Sequence, residues 1–262
     1  SLLHSRFNDF GNPLSMKITC DRIALLDAAT VAGQVVVART PTPILQCMKL
    51  TAESDRLVLA ATDLEIGLRI GVDQVDVHTP GSALIPADKL VQILRACDEP
   101  TVSLETEDHA VRVEAGQSHF KMFGYDPAEA PEVRDFEGVD VDCTIAAVTL
   151  QTLIQRTLFA AAAEHSRYAI NGILFDRNDT HLRFVATDGR RLALATGQCE
   201  EGSGEQSCII PAKALNIIMK LIDDPDDAVR LVVERNQILA QLGEGPTAAI
   251  LSSNRVEGTF PP

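Results

Sequence analysis

Leu57-Val58-Leu59-Ala60-Ala61-Thr62-Asp63 and Leu182-Arg183-Phe184-Val185-Ala186-Thr187-Asp188 both end an apolar run on Thr-Asp, at an offset of 125 residues (187 − 62). Ile85-Pro86-Ala87 returns as Ile210-Pro211-Ala212 at the same offset (210 − 85). Two motifs of different character in one register mean that the stretch between them was duplicated with little change in length, as a repeated domain is. A duplicated catalytic site would repeat its reactive residues, whereas a duplicated scaffold repeats only its fold.

Outward from the first motif the pattern is α+β. Leu57, Leu59 and Ala61 alternate, as do Ile66, Leu68 and Ile70, which suits antiparallel strands with one buried face. Upstream, Ile23, Leu26, Ala29, Ala32, Gly33 and Val36 follow helical spacing behind Asp21, a suitable N-cap. Arg39-Thr40-Pro41-Thr42-Pro43 then forces extended backbone and leaves Arg39 on a loop. Pro86 suits the first turn of a second helix through Leu90, Ile93, Leu94 and Cys97. Val102 with Leu104, Val111 with Val113, and Phe120 with Met122 mark further short strands.

The second copy retraces this order. A helix is predicted over 150–163, strands near Ile173, over 182–187 and over 192–196, a helix over 211–222, and strands at Leu231, Ile238 and Ala248. Asp188-Gly189 between two strands is a hairpin signal, because Gly accepts positive φ. Each copy reads as two helices packed on antiparallel sheets. The domain boundaries follow: 1–15 as an N-terminal extension or expression remnant, 16–140 and 141–256 as the two copies, and an acidic, Pro-containing passage over 125–142 between them.

At 262 residues the chain has room for two cores. No apolar run approaches the ~20 residues of a membrane span, which predicts a soluble, cytoplasmic protein. Six cysteines without a Cys-x-x-Cys pair argue against a zinc ribbon and for buried thiols in a reducing compartment. The net charge of −14 speaks against a polyanionic partner, but the charge is unevenly spread. Asp98 to Asp142 carries thirteen acids against Arg112, Lys121 and Arg134, whereas 150–163 holds Arg156, and 211–222 holds Lys213 and Lys220, with no acid in either. Lys89 and Arg95 fall on the second helix of the first copy. Helices carrying cations in a strongly acidic chain suit sequence-independent contact with duplex phosphates.

Catalytic signatures are missing from the sequence. The six histidines show no His-x-x-x-His spacing, and there is neither a Gly-x-Ser-x-Gly elbow nor a Gly-x-x-x-x-Gly-Lys loop. An Asp188 and His165 acid/base couple is the enzymatic alternative; the simpler reading has Asp63 and Asp188 capping turns. No cofactor or metal is expected. Arg167-Tyr168-Ala169-Ile170-Asn171-Gly172, together with Thr187 to Leu192, can instead form a groove in which a short peptide lays apolar side chains beside the arginines.

Phe159 to Phe175, followed by Ala186-Thr187-Asp188-Gly189-Arg190-Arg191-Leu192-Ala193, closely resembles the middle domain of bacterial DNA polymerase III β subunits, the sliding clamps. Arg39-Thr40-Pro41-Thr42-Pro43-Ile44-Leu45 and Thr62-Asp63-Leu64-Glu65 are similar to the family's first domain. The resemblance implies a non-catalytic processivity factor, a ring around duplex DNA with helices inside and strands outside. Its implied partners are DNA, the replicative polymerase, the clamp loader and other proteins bearing clamp-binding peptides. It implies DNA contact at Arg39, Lys213 and the loop around Glu164, where Glu164 replaces a neutral polar residue. It implies a peptide groove of Arg167, Ile170, Thr187, Gly189, Arg190, Arg191 and Leu192, bordered by Phe260 and Pro261. Residues 257–262 then read as the start of a linker to a third domain, so that the chain is either part of a longer protein or a two-domain chain closing as a trimer.

Overall fold

The computed structural model describes residues 15–162 and 170–261, which divide into two compact units. Among the described residues the first unit holds 15–63 and 69–132, and the second holds 64–68 and 133–261.

The first copy runs β1 (Lys17–Asp21), α1 (Arg22–Ala32), β2 (Cys47–Ala52), β3 (Leu57–Thr62), β4 (Ile66–Val72), β5 (Val75–Thr79), β6 (Gly81–Pro86), α2 (Ala87–Ala96), β7 (Thr101–Glu107), β8 (Ala110–Ala115) and β9 (Ser118–Phe123). One sheet has the order β5-β1-β7-β8-β9, and β2 pairs with both β3 and β6, all antiparallel. Asp21 caps α1 by accepting the Ala24 N–H at 2.8 Å. Ser15 already lies against the sheet, since a Cβ on Gly81 would meet its carbonyl oxygen at 2.5 Å.

The second copy runs β10 (Cys143–Ala146), α3 (Ala147–Thr157), β11 (Gly172–Asn178), β12 (His181–Thr187), β13 (Leu192–Gln198), β14 (Glu201–Gly202), β15 (Glu205–Pro211), α4 (Ala212–Leu221), β16 (Ala228–Val233), β17 (Gln237–Leu242) and β18 (Ala249–Asn254). One sheet has the order β13-β12-β11-β15; in the other, β10 pairs with β14 and β16, then β17 and β18 follow. The repeat is exact at the helices: α3 begins 125 residues after α1 (147 − 22), and α4 begins 125 after α2 (212 − 87).

Four expectations are corrected. The buried face of α1 is Leu25, Ala28, Ala29 and Ala32, while Ile23 is half exposed, because the helix ends at Ala32 and the period must be anchored on its central residues. The predicted helix 150–163 starts at Ala147 and gives way after Thr157 to a 3-10 turn at Leu158–Ala160. Pro86 and Pro211 close their strands and occupy the N-cap position rather than the first turn, with φ −58° at both. The last strand opens at Ala249, behind a 3-10 turn at Gly245–Thr247.

The core of each unit is aliphatic. Phe175 and Phe184 add an edge-on aromatic pair in the second, with centroids 5.6 Å apart. All six cysteines are free and buried. Burial pushes the thiols of Cys20, Cys143 and Cys208 up to about 12 and that of Cys47 up to about 11, and raises those of Cys97 and Cys199. Among the described residues no helix is long and apolar enough to cross a membrane, and no group of His, Cys, Asp or Glu is arranged to hold a metal.

Candidate nucleic-acid and peptide interfaces

The residues singled out from the sequence fall on the helix faces of each unit, taken separately, and on one hairpin tip of the second. In the first unit α1 packs beside α2, and in the second α3 packs beside α4. On α4, Ala214, Leu215, Ile217 and Ile218 face the core, which turns Lys213, Asn216 and Lys220 to solvent along one stripe. Arg156 is exposed in the last turn of α3, where a cation also complements the helix dipole. On α2, Lys89 and Arg95 are exposed, and Lys89 Nζ lies 3.9 Å from the Asp88 carboxylate. Arg39 is exposed on the loop between α1 and the 3-10 turn Pro43–Gln46, a loop braced by the Val37 N–H donating to Leu45 O at 3.0 Å. Glu164 lies outside the described residues.

The hairpin tip joins β12 and β13. Gly189 has φ +85°, so a left-handed residue is required there, and Gly adopts it without a Cβ penalty. The Thr187 hydroxyl accepts the Gly189 N–H at 3.0 Å and donates to Arg191 O at 2.7 Å. Asp188 Oδ1 accepts the N–H groups of Arg190 and Arg191, both at 3.0 Å, and its Oδ2 accepts Arg191 Nε at 3.0 Å. The backbone N–H of Arg190, then that of Arg191 and its guanidinium, hold the Asp188 carboxyl below the usual carboxylate range. Asp188 is therefore a turn brace, as the simpler sequence reading has it, with both oxygens engaged.

Leu192, 68% exposed, and Leu194 project from alternate positions of β13. Ile170 is buried, and its carbonyl accepts the Ala162 N–H at 2.9 Å, which ties it to the end of the α3 segment. Phe159, which sequence reasoning left out of the site, stands 60% exposed in the 3-10 turn, and the Arg191 guanidinium lies 5.6 Å from its ring centroid. The structure thus gathers Thr187, Gly189, Arg190, Arg191 and Leu192 on one tip and adds Phe159. Phe260 and Pro261 are part-buried beyond β18, on the strand extension that Val256 N–H ties to Ile209 O at 2.9 Å. Arg167 and His165 lie outside the described residues.

A further device escaped the sequence. Arg177 is 2% exposed, and its Nη1 donates to the carbonyls of Asp179, Ser203 and Gly204 at 2.9–3.1 Å. Its buried Nε has no hydrogen-bond partner. One cation thus gathers the β11–β12 turn and the loop before β15 by their backbone oxygens.

Residues 16–134 match the family of the DNA polymerase III beta subunit N-terminal domain, and residues 144–262 match that of its central domain. The chain is 32% identical over 247 residues to the beta sliding clamp of Escherichia coli K12, covering 94% of this chain and 66% of that protein. It is 33% identical over 248 residues to the beta sliding clamp of Pseudomonas aeruginosa, with the same coverage. The solved structure of a Pseudomonas aeruginosa sliding clamp bound to griselimycin matches with a TM-score of 0.86 at 32% identity, over 94% of this chain and 66% of that one. The Bacillus subtilis sliding clamp matches with a TM-score of 0.86 at 24% identity, over 95% and 66%, a likeness of fold. The chain spans 66% of the length of these relatives.

Proposed function

The chain belongs to the DNA polymerase III beta-subunit family, and from that premise we propose that it supplies two domains of a non-catalytic ring that encircles duplex DNA and confers processivity on the replicative polymerase. The proposed domains are 16–140 and 141–256, with 257–262 leading toward a third and the ring closing by self-association. The reading puts the protein in the cytoplasm, with a clamp loader and other clamp-binding proteins as further partners.

The observation that carries it is the pair of acid-free helices α3 and α4, with exposed Arg156, Lys213 and Lys220, in a chain of net charge −14. Cations presented on helix faces attract phosphates without reading bases, so contact is non-specific and salt-sensitive. Arg39, Lys89 and Arg95 are the proposed phosphate contacts of the first domain, and Glu164 marks a place where the contact is weakened. Processivity then follows from topology rather than tight binding.

The hairpin tip favours a second role on the same chain, binding short peptides of the polymerase and loader. Arg167, Ile170, Thr187, Gly189, Arg190, Arg191, Leu192, Phe260 and Pro261 form the proposed groove, with Leu192 as its apolar floor.

The test is duplex binding followed by fluorescence anisotropy across a salt series. The proposal expects log affinity to fall linearly with log salt, with a slope that drops by about 1 for each phosphate-contacting Lys or Arg removed. A slope unchanged by Lys213→Ala and Lys220→Ala together would overturn the DNA surface. Binding of a dye-labelled, leucine-containing peptide lost on Leu192→Asp supports the groove, and binding unaffected by that change would refute it.

A further inference from the structure

An arginine on a hairpin tip ordinarily samples many rotamers, and fixing one costs side-chain entropy that a ligand must offset. Arg191 is held on several sides. Its backbone N–H donates to Asp188 Oδ1, its carbonyl accepts from the Thr187 hydroxyl, and its Nε donates to Asp188 Oδ2. Its guanidinium carbon lies over the Phe159 ring, 5.6 Å from the centroid and within cation–π range. Among the described residues none accepts a hydrogen bond from its Nη groups, so the planar donor fork is set in place while its outer edge is left for an oxygen acceptor.

The first copy lacks this arrangement. Its matching turn, Asp63 to Glu65, is one residue shorter than Asp188 to Arg191, and Gln34 stands where the second copy has Phe159 (159 − 125). A 60%-exposed phenylalanine contributes little to the core, so its place against the arginine calls for a reason beyond packing.

We propose that Phe159 is a positioning residue that holds the Arg191 guanidinium at the hairpin tip, pre-organised to take a carboxylate or carbonyl oxygen of a bound peptide whose apolar side chain rests on Leu192. The proposal rests on the peptide-groove reading for its ligand, but the positioning itself is a property of the free chain. Phe159 acts through Arg191, and Asp188 supplies the second hold.

The experiment is NMR of the Arg191 Nε–Hε group in the intact chain, together with binding of a dye-labelled peptide that combines leucines with one aspartate. Phe159→Ala is expected to shift the Nε–Hε resonance and speed its exchange with water. Phe159→Tyr keeps a π face and should restore both, while Phe159→Leu, which keeps apolar bulk and the fold, should not. In binding, Phe159→Ala should weaken the peptide about 2- to 5-fold, the range of an exposed cation–π contact. In an Arg191→Ala background it should have no further effect. An Nε–Hε signal indifferent to all three Phe159 variants, or a Phe159→Ala loss that persists without Arg191, would overturn the proposal. If the signal responds but the peptide binds neither the parent chain nor any variant, the positioning stands and the groove reading falls.

Discussion

The two helix pairs are built to one plan and charged to different ends. At positions in register, Asp27 on α1 corresponds to Thr152 on α3 (152 − 27 = 125), and Asp88 on α2 corresponds to Lys213 on α4 (213 − 88 = 125). The first pair therefore carries Arg22, Lys89 and Arg95 against two acids, and Arg22 is committed to the carbonyls of Leu94 and Glu99. The second carries Arg156, Lys213 and Lys220 against none. The buried positions of both pairs stay apolar, so the core is the shared inheritance and the exposed face is where the copies part. The same holds away from the helices. Ala52 in β2 corresponds to the buried Arg177 in β11, and Leu64, at φ +75°, corresponds to Gly189 at φ +85°.

The largest break in this comparison comes from giving the second copy the residue of the first at 177. Arg177→Ala strips three loop carbonyls of the donor that gathers them and leaves a cavity where the buried side chain lay, at a cost of about 3 kcal/mol in urea unfolding. Next is charge. Thr152→Asp with Lys213→Asp puts acids at both matched positions and should lower duplex affinity about tenfold near 0.1 M salt, with a shallower salt slope. Asp27→Thr with Asp88→Lys should raise it; if the two pairs of changes had equal and small effects, the division of labour between the helix pairs would be wrong. Gly189→Leu forces a side chain into left-handed backbone and should cost about 1 kcal/mol in thermal melts. Leu64→Gly relieves that strain in the first copy but adds unfolded-chain entropy, for a net gain of about 0.5 kcal/mol. The smallest effect concerns pH. Because the Asp188 carboxyl sits below its ordinary range when folded, its brace is present above the unfolded value and is lost as pH falls through the depressed one, which the Arg190 and Arg191 amide shifts should follow.

Much of this was legible in the sequence because duplication supplies an internal check. The register of Thr62-Asp63 with Thr187-Asp188 located the repeat, and Asp188-Gly189 located the hairpin through the positive φ that Gly permits. β5 was missed because Val75-Asp76-Val77-His78-Thr79 offers only two apolar residues to the alternation, and β6 because Gly81 and Ser82 dilute its start. Arg177 was not foreseen because residue type argues for exposure, and only the loop carbonyls that surround it make burial tolerable. Phe159 lay inside the stretch that carried the resemblance, yet its role depends on a turn residue 32 positions later (191 − 159), a distance no local pattern spans.

The six buried thiols make the chain convenient for spectroscopy. A thiolate is the species that attacks a maleimide, and groups held toward 11 or 12 supply almost none at neutral pH. A single cysteine introduced at an exposed position such as Asp55 in the first copy or Glu200 in the second should take a dye selectively in the folded protein, with every native cysteine left in place. Pairs of such dyes, one on each copy, would report whether the distance between them changes when duplex DNA is added.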